Sequence, residues 1–171
     1  MSNRAGETVA FDEQDLDLLQ HIEQSFDDSL QELADEFDLS KSAIHYRLNK
    51  HREKGVIENT RAVLNPESFG LDRMMVSEVY VTHETGYSQN IGEQLASIPG
   101  VTQVYYTLGD VDFIVVSRTQ NRDQMNNLLN SIIDINGVNE TSSRFVIQEI
   151  KTDGVLLDNL PDGGRQNLLQ K

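Results

Sequence analysis

Apolar spacing changes period near Leu71, and that change divides the chain into a helical half and a β-rich half. From Asp12 to Lys54 the apolar positions recur at helical intervals. Beyond Leu71 they alternate, with Met75, Ser77, Val79 and Val81 set against Val76, Glu78, Tyr80 and Thr82. A period of 3.6 places apolar residues on one stripe of a helix, and a period of 2 places them on one face of a strand.

Three helices fit the first half. Asp12 opens one with acids in its first turn, followed by Leu16, Leu18, Leu19 and Ile22, and such acids suit the positive end of a helix dipole. Ser29 and Glu32 read as a capping box for a short helix presenting Leu30, Leu33, Ala34 and Phe37. Ser40 caps a third helix that runs to about Lys54, where Gly55 suits the stop. Val56 to Leu64 then suggests a hairpin or wing, and Asn65-Pro66 through Gly70 reads as a linker.

The second half reads as a strand over 74–83, a helix over 88–98, strands over 101–108 and 111–118, a helix opened by Asn121, and a strand over 138–151. That β-α-β-β-α-β order is the ferredoxin-like arrangement. Phe113 and Val115 lie on one strand face, Ile114 and Val116 on the other. Helices cover only one face of such a sheet, so a second copy is the simplest cover for the other, and a homodimer follows. The expected divisions are a leader at 1–10, a helical domain at 11–64, a linker at 65–73, a ferredoxin-like domain at 74–152 and a tail at 153–171. The tail is polar apart from Leu168-Leu169 and reads as flexible or as a short swapped contact.

Charge is unevenly distributed. The formal net is −14, yet residues 40–61 carry Lys41, Arg47, Lys50, Arg52, Lys54 and Arg61 against only Glu53 and Glu58. Residues 1–39 carry 12 acids and one base, Arg4. A globally acidic chain repels phosphate, so the basic segment is where nucleic acid would be met. The acid excess with only five lysines resembles proteins of salt-loving organisms, which suggests a halophilic archaeon as source. Cysteine is absent, which removes disulfides, thiolate metal sites and thiol nucleophiles. Met1 to Glu7 lacks the apolar core of a signal peptide, and no apolar run approaches the roughly 18 residues of a membrane span. A soluble cytoplasmic protein with no membrane partner is the expectation.

The third helix carries the functional argument. Ile44 and Leu48 face inward, Ser42, His45, Tyr46 and Asn49 face outward, and Lys41 and Lys50 flank them. An inward stripe anchors such a helix, while its polar face enters the major groove of double-stranded DNA. The expected base-edge contacts are Ser42, His45, Tyr46 and Asn49. Lys41, Arg47, Lys50, Arg52 and Arg61 supply phosphate contacts or support, with Ser40 at the helix start. His51 lies on the inward face, where packing with a satisfied ring nitrogen is expected.

These features together resemble the Lrp/AsnC family of feast-or-famine regulators. The resemblance runs through Phe11 to Leu19, Ser29 to Ala34, Leu39-Ser40, Ile44, Arg47-Leu48, Glu53 and Gly55-Val56-Ile57. It continues through Asn65-Pro66, Phe69-Gly70-Leu71, Ile98-Pro99-Gly100-Val101 and Thr107 to Asp112. His51 departs from it, since the family usually has leucine there. The resemblance implies a sequence-specific transcription regulator with a winged helix-turn-helix and a ligand-sensing, dimerising domain, α+β overall. It implies pairing through the C-terminal sheet, dimers that can assemble into tetramers or octamers, and a small effector such as an amino acid. Carried over, the effector-binding residues are Leu108, Gly109, Asp110 and Asp112, with Thr141, Ser142 and Ser143. A carboxylate can pair with an amino acid's ammonium group, and glycine permits close backbone approach. Gly109-Asp110 equally suits a plain hairpin turn.

Other classes fit less well. No glycine loop cradles phosphate, and His21, His45, His51 and His83 lack metal-ligand spacing. Neither catalytic residues nor a metal or cofactor is therefore expected. Sirohaem decarboxylases look like this family and use histidine and arginine. Only His83 lies in a suitable place for that role, and arginines are few beyond residue 64. A regulator that has lost DNA binding and only senses an effector conflicts with the basic 40–61 segment.

Overall fold

A computed structural model describes residues 9–25, 27–82, 87–152 and 154–169, with the backbone alone at 87 and 88. The chain forms two compact units, one of residues 1–62 with 151–171 and one of residues 63–150.

The first unit is built on α1 (Glu13–Gln24), α2 (Leu30–Glu36) and α3 (Lys41–Glu53). Asp12 and Asp15 cap α1 reciprocally, and Ser29 and Glu32 do the same for α2. Their reciprocal bonds satisfy amide donors that have no partner inside the helix. Leu18, Leu33, Ala34, Ile44 and Leu48 form the core, with Ile22, Phe37, Leu39 and Ile57 packed against it. Between α2 and α3 the chain turns tightly through Asp38, whose φ is 50°, a left-handed conformation that aspartate tolerates better than most residues.

No strand forms between Val56 and Leu64, where a wing hairpin was expected. The amides of Val56 and Ile57 both donate to the carbonyl of His51, at 2.8 and 3.2 Å, across Gly55 at φ 71°. Those two residues are consumed in closing the helix, and Ile57 packs on the core. Little apolar sequence is left to pair.

The second unit contains β1 (Arg73–Val81), α4 (Tyr87–Ser97), β2 (Val101–Tyr106), β3 (Phe113–Thr119), α5 (Arg122–Ile133) and β4 (Val138–Phe145). The sheet order is β2-β3-β1-β4, with all pairs antiparallel. Met75, Val79, Val81, Phe113 and Val115 bury one face with Ile91 and Leu95 of α4, Ile98 just after it, and Leu128 and Ile132 of α5. Val76, Tyr80 and Ile114 lie half-buried on the other face, and Val116 is buried there. β4 ends at Phe145 rather than at residue 151. Its last pair is Met75↔Phe145, and the Val146 amide donates to the Met74 carbonyl just beyond it.

Residues 154–169, expected as a flexible tail or a swapped contact, form a 3-10 turn (Leu157–Asn159) and a short helix, α6 (Gly164–Leu169). They belong to the helical unit and pack on α1.

Candidate nucleic-acid interface and sensing loop

α3 starts at Ser40, whose side chain accepts from the amide of Ala43 at 3.1 Å and lies 2.9 Å from the hydroxyl of Ser42. Ile44 and Leu48 bury the inner side. Lys41, Ser42, His45 and Tyr46 are exposed, Tyr46 at 69%. One turn on, the Asn49 side-chain amide lies 3.3 Å from the His45 ring, and Arg52 donates to the Asn49 oxygen at 3.0 Å. The polar face is therefore a linked row rather than a set of independent tips. Arg61 is exposed beyond the helix.

Arg47 and Lys50 turn elsewhere. The Arg47 guanidinium donates to Asp12 at 2.8 Å, to Asp15 at 2.5 Å and to Gln14 at 2.9 Å, and is only 19% exposed. Lys50 reaches the other Asp15 oxygen at 3.0 Å. Both bases are expected as phosphate contacts or support, and in this structure they fasten α3 to the start of α1. Asp15 is 1% exposed. Burial alone would raise its pKa, but Lys50 and Arg47, with His51 beside them, outweigh that and hold it at about 2.

His51 is fully buried and stacks on Phe11, with ring centroids 5.5 Å apart and planes 15° from parallel. Its Nε2 lies 3.2 Å from Asp15 Oδ1, within ion-pair reach. Neither ring nitrogen meets hydrogen-bond geometry, so the histidine packs as expected without the expected hydrogen bond. The sequence reading missed this ionic clamp. Its signal was two acids three apart at the head of α1 and two bases three apart on α3.

In the second unit the β2–β3 turn is closed by the Thr107 amide on the Asp112 carbonyl at 2.8 Å and by the Thr107 hydroxyl on the Val111 carbonyl. Leu108 is fully exposed, Asp110 is exposed, and Gly109 takes φ 146° in open space. Asp112 is buried, and its carboxylate accepts from the Val81 amide at 2.8 Å. That oxygen secures the end of β1. Thr141, Ser142 and Ser143 pair with Val79, Glu78 and Ser77, and the hydroxyls of Ser143 and Ser77 are 2.7 Å apart. β1 lies between β3 and β4, so within one chain the turn and the β4 hydroxyls are separated by at least two strand spacings, about 10 Å. Leu108, Gly109 and Asp110 are thus kept apart from the β4 hydroxyls, whereas the Asp112 amide donates at 3.2 Å to Val79, the residue that pairs with Thr141. His83, the residue an enzymatic alternative would need, lies outside the described residues.

Residues 11–58 match the model of the winged helix-turn-helix DNA-binding domain, and residues 75–156 match the Lrp/AsnC ligand-binding domain. HTH-type transcriptional regulator FL11 of Pyrococcus horikoshii is 33% identical over 143 residues, covering 84% of this chain and 93% of that protein. The chain belongs to the Lrp/AsnC family. Solved structures agree on the fold. A Neisseria meningitidis transcriptional regulator in complex with L-Met superposes with a TM-score of 0.81 at 22% identity, covering 86% of this chain and 96% of that one. Escherichia coli AsnC superposes with a TM-score of 0.77 at 23% identity, covering 84% and 97%. The chain is thus a DNA-binding transcription regulator of Lrp/AsnC type. No helix among the described residues is long and apolar enough to cross a membrane.

Proposed function

We propose that this regulator reads its operator with Ser42, His45, Tyr46 and Asn49 of α3, and that Lys41, Arg52 and Arg61 hold phosphate. The observation that carries this reading is the exposed polar row of α3 on a helix whose other side is fixed by core and clamp. Side chains presented from a rigid helix can be held to a base edge at little further entropic cost.

The working unit is a homodimer joined through the outer sheet face of Val76, Tyr80, Ile114 and Val116, with further assembly built on that dimer. A row of half-buried apolar side chains on a sheet gains by covering from a second copy. A small effector of amino-acid type, as bound by the Neisseria protein, modulates it at the β2–β3 turn of Leu108, Gly109 and Asp110. The β4 hydroxyls of Thr141, Ser142 and Ser143 enter that site only from another subunit, given the separation within one chain. Asp112 supports the turn from below. Regulation rather than catalysis is the role that the homologous regulators favour.

Selection of bound sequences from random DNA in molar potassium salt tests the reading. The expected product is one palindrome-like motif whose half-sites lie about one helical turn apart, with preference lost in Tyr46→Ala and Asn49→Ala. No enrichment, or enrichment unchanged in both variants, would overturn the assignment of α3's outer face.

A further inference from the structure

The side of α1 turned away from the core is unusually well used. Helical spacing puts Glu13, Asp17, Gln20, Glu23 and Gln24 there, and every one of them bonds to the C-terminal segment. Arg165 donates to Glu13 at 3.0 Å, to Asp17 at 2.5 Å and to Gln20 at 3.1 Å. Asp158 accepts from Gln20 at 2.5 Å and from Gln24. Glu23 accepts from the amides of Leu156 and Leu157 at 2.6 and 2.9 Å. These amides open the 3-10 turn, which has no side-chain cap of its own, so α1 supplies the cap in trans. Leu16 falls between Gln20 and Glu23 on the same side, is 1% exposed, and stands outside the three-helix cluster.

We propose that the outer face of α1 is a docking surface for the chain's own C-terminal segment, and that its occupation tunes α3. α1 lies between two sets of cations. Arg165 holds Glu13 and Asp17 on one side, and Arg47 and Lys50 hold Asp12 and Asp15 on the other. Removing Arg165 leaves an acid-rich helix to repel itself, and the clamp that positions α3 is anchored on that helix. The segment is also the direct continuation of the sensing unit, since the chain leaves that unit at Ile150 and caps its turn on Glu23 six residues later. A change at the end of β4 thus has a covalent route to α1 besides the linker at 63–72.

The inference rests on DNA binding by α3, and the test separates the two. Arg165→Glu makes the chain more negative and Glu23→Ala makes it less negative, yet both release the segment. Full-length variants are compared with the parent by chymotrypsin cleavage near Leu156 and Leu157 and by affinity for the DNA site the parent selects. Expected are faster cleavage in both and an affinity change in the same direction, of roughly 2- to 30-fold. The charge swap Glu13→Arg, Asp17→Arg, Arg165→Glu restores both readouts. Unchanged cleavage would overturn the docking. Faster cleavage with affinity unchanged, or shifted in opposite directions by the two charges, would overturn the coupling. A parent chain that selects no DNA site would defeat the DNA-reading assignment, while cleavage would still decide the docking.

Discussion

Asp15 keeps its charge in a place where carboxylates are usually neutralised. Isolated burial costs several kcal/mol, and here Lys50 and Arg47 offset it so far that the pKa falls to about 2. A carboxyl depressed in the folded state contributes stability that is complete above its unfolded pKa, near 3.8, and is lost as pH falls through 2. Acid titration followed by circular dichroism should show the helical unit losing about 2 kcal/mol between pH 4 and 2. Asp15→Asn should lose about 2 to 3 kcal/mol at neutral pH, since Arg47 and Lys50 are left partly buried without their counter-charge, and its acid transition should flatten. An unaltered acid profile in Asp15→Asn would show that another group carries the transition. At this scale the sequence is legible for short side chains and not for long ones. Ser29 with Glu32, and Ser40, reach only neighbouring backbone, so spacing decides their bonds. Arg47 spans enough distance to meet either phosphate or Asp12, and only the fold shows that it meets Asp12.

Elements were readable wherever one face is apolar. α1, α3, α5 and β1 follow from periodicity, because burial of a stripe dictates the period. The errors lie where something other than burial sets the boundary. Val56 and Ile57 suit a strand and serve a helix stop, and β4 ends its pairing at Phe145, short of the boundary at 151 that the sequence suggests. The C-terminal segment was read as a tail because its apolar content is low, and what holds it is a set of polar contacts with another stretch of chain. One boundary makes a sharp prediction. Gly100 joins α4 to β2 at φ +92°, and an added Cβ would stand 2.9 Å from the Arg118 carbonyl and 3.1 Å from Leu128. The backbone oxygen cannot yield without disturbing the bond that Arg118's amide makes to the Gly100 carbonyl at 2.8 Å. Gly100→Ala should cost about 2 to 4 kcal/mol, combining left-handed strain with overpacking. A thermal melt of the variant checks this, and a loss below about 1 kcal/mol would mean that the turn relaxes freely.

For the whole molecule the question is how a chain of net charge −14 approaches a polyanion. The fold sharpens the problem, because two of the six bases between residues 40 and 61 are engaged with Asp12 and Asp15. Lys41, Arg52, Lys54 and Arg61 remain exposed. Each phosphate neutralised contributes about −0.9 to the slope of log affinity against log salt. A dimer using all four per subunit should therefore show a slope no steeper than about −7, whereas six per subunit would give about −11. Titration of the selected DNA site across a range of potassium concentrations separates these values. The shallow slope would mean that hydrogen bonds from the His45–Asn49–Arg52 row and the shape of the duplex supply much of the affinity. Such binding survives at high salt better than phosphate contact does. A slope near −11 would mean that Arg47 and Lys50 leave the clamp on meeting DNA, so that α1 and α3 loosen as the operator is bound. Asp15→Asn distinguishes this further, because freeing those two bases in advance should steepen the slope only if the parent keeps them clamped.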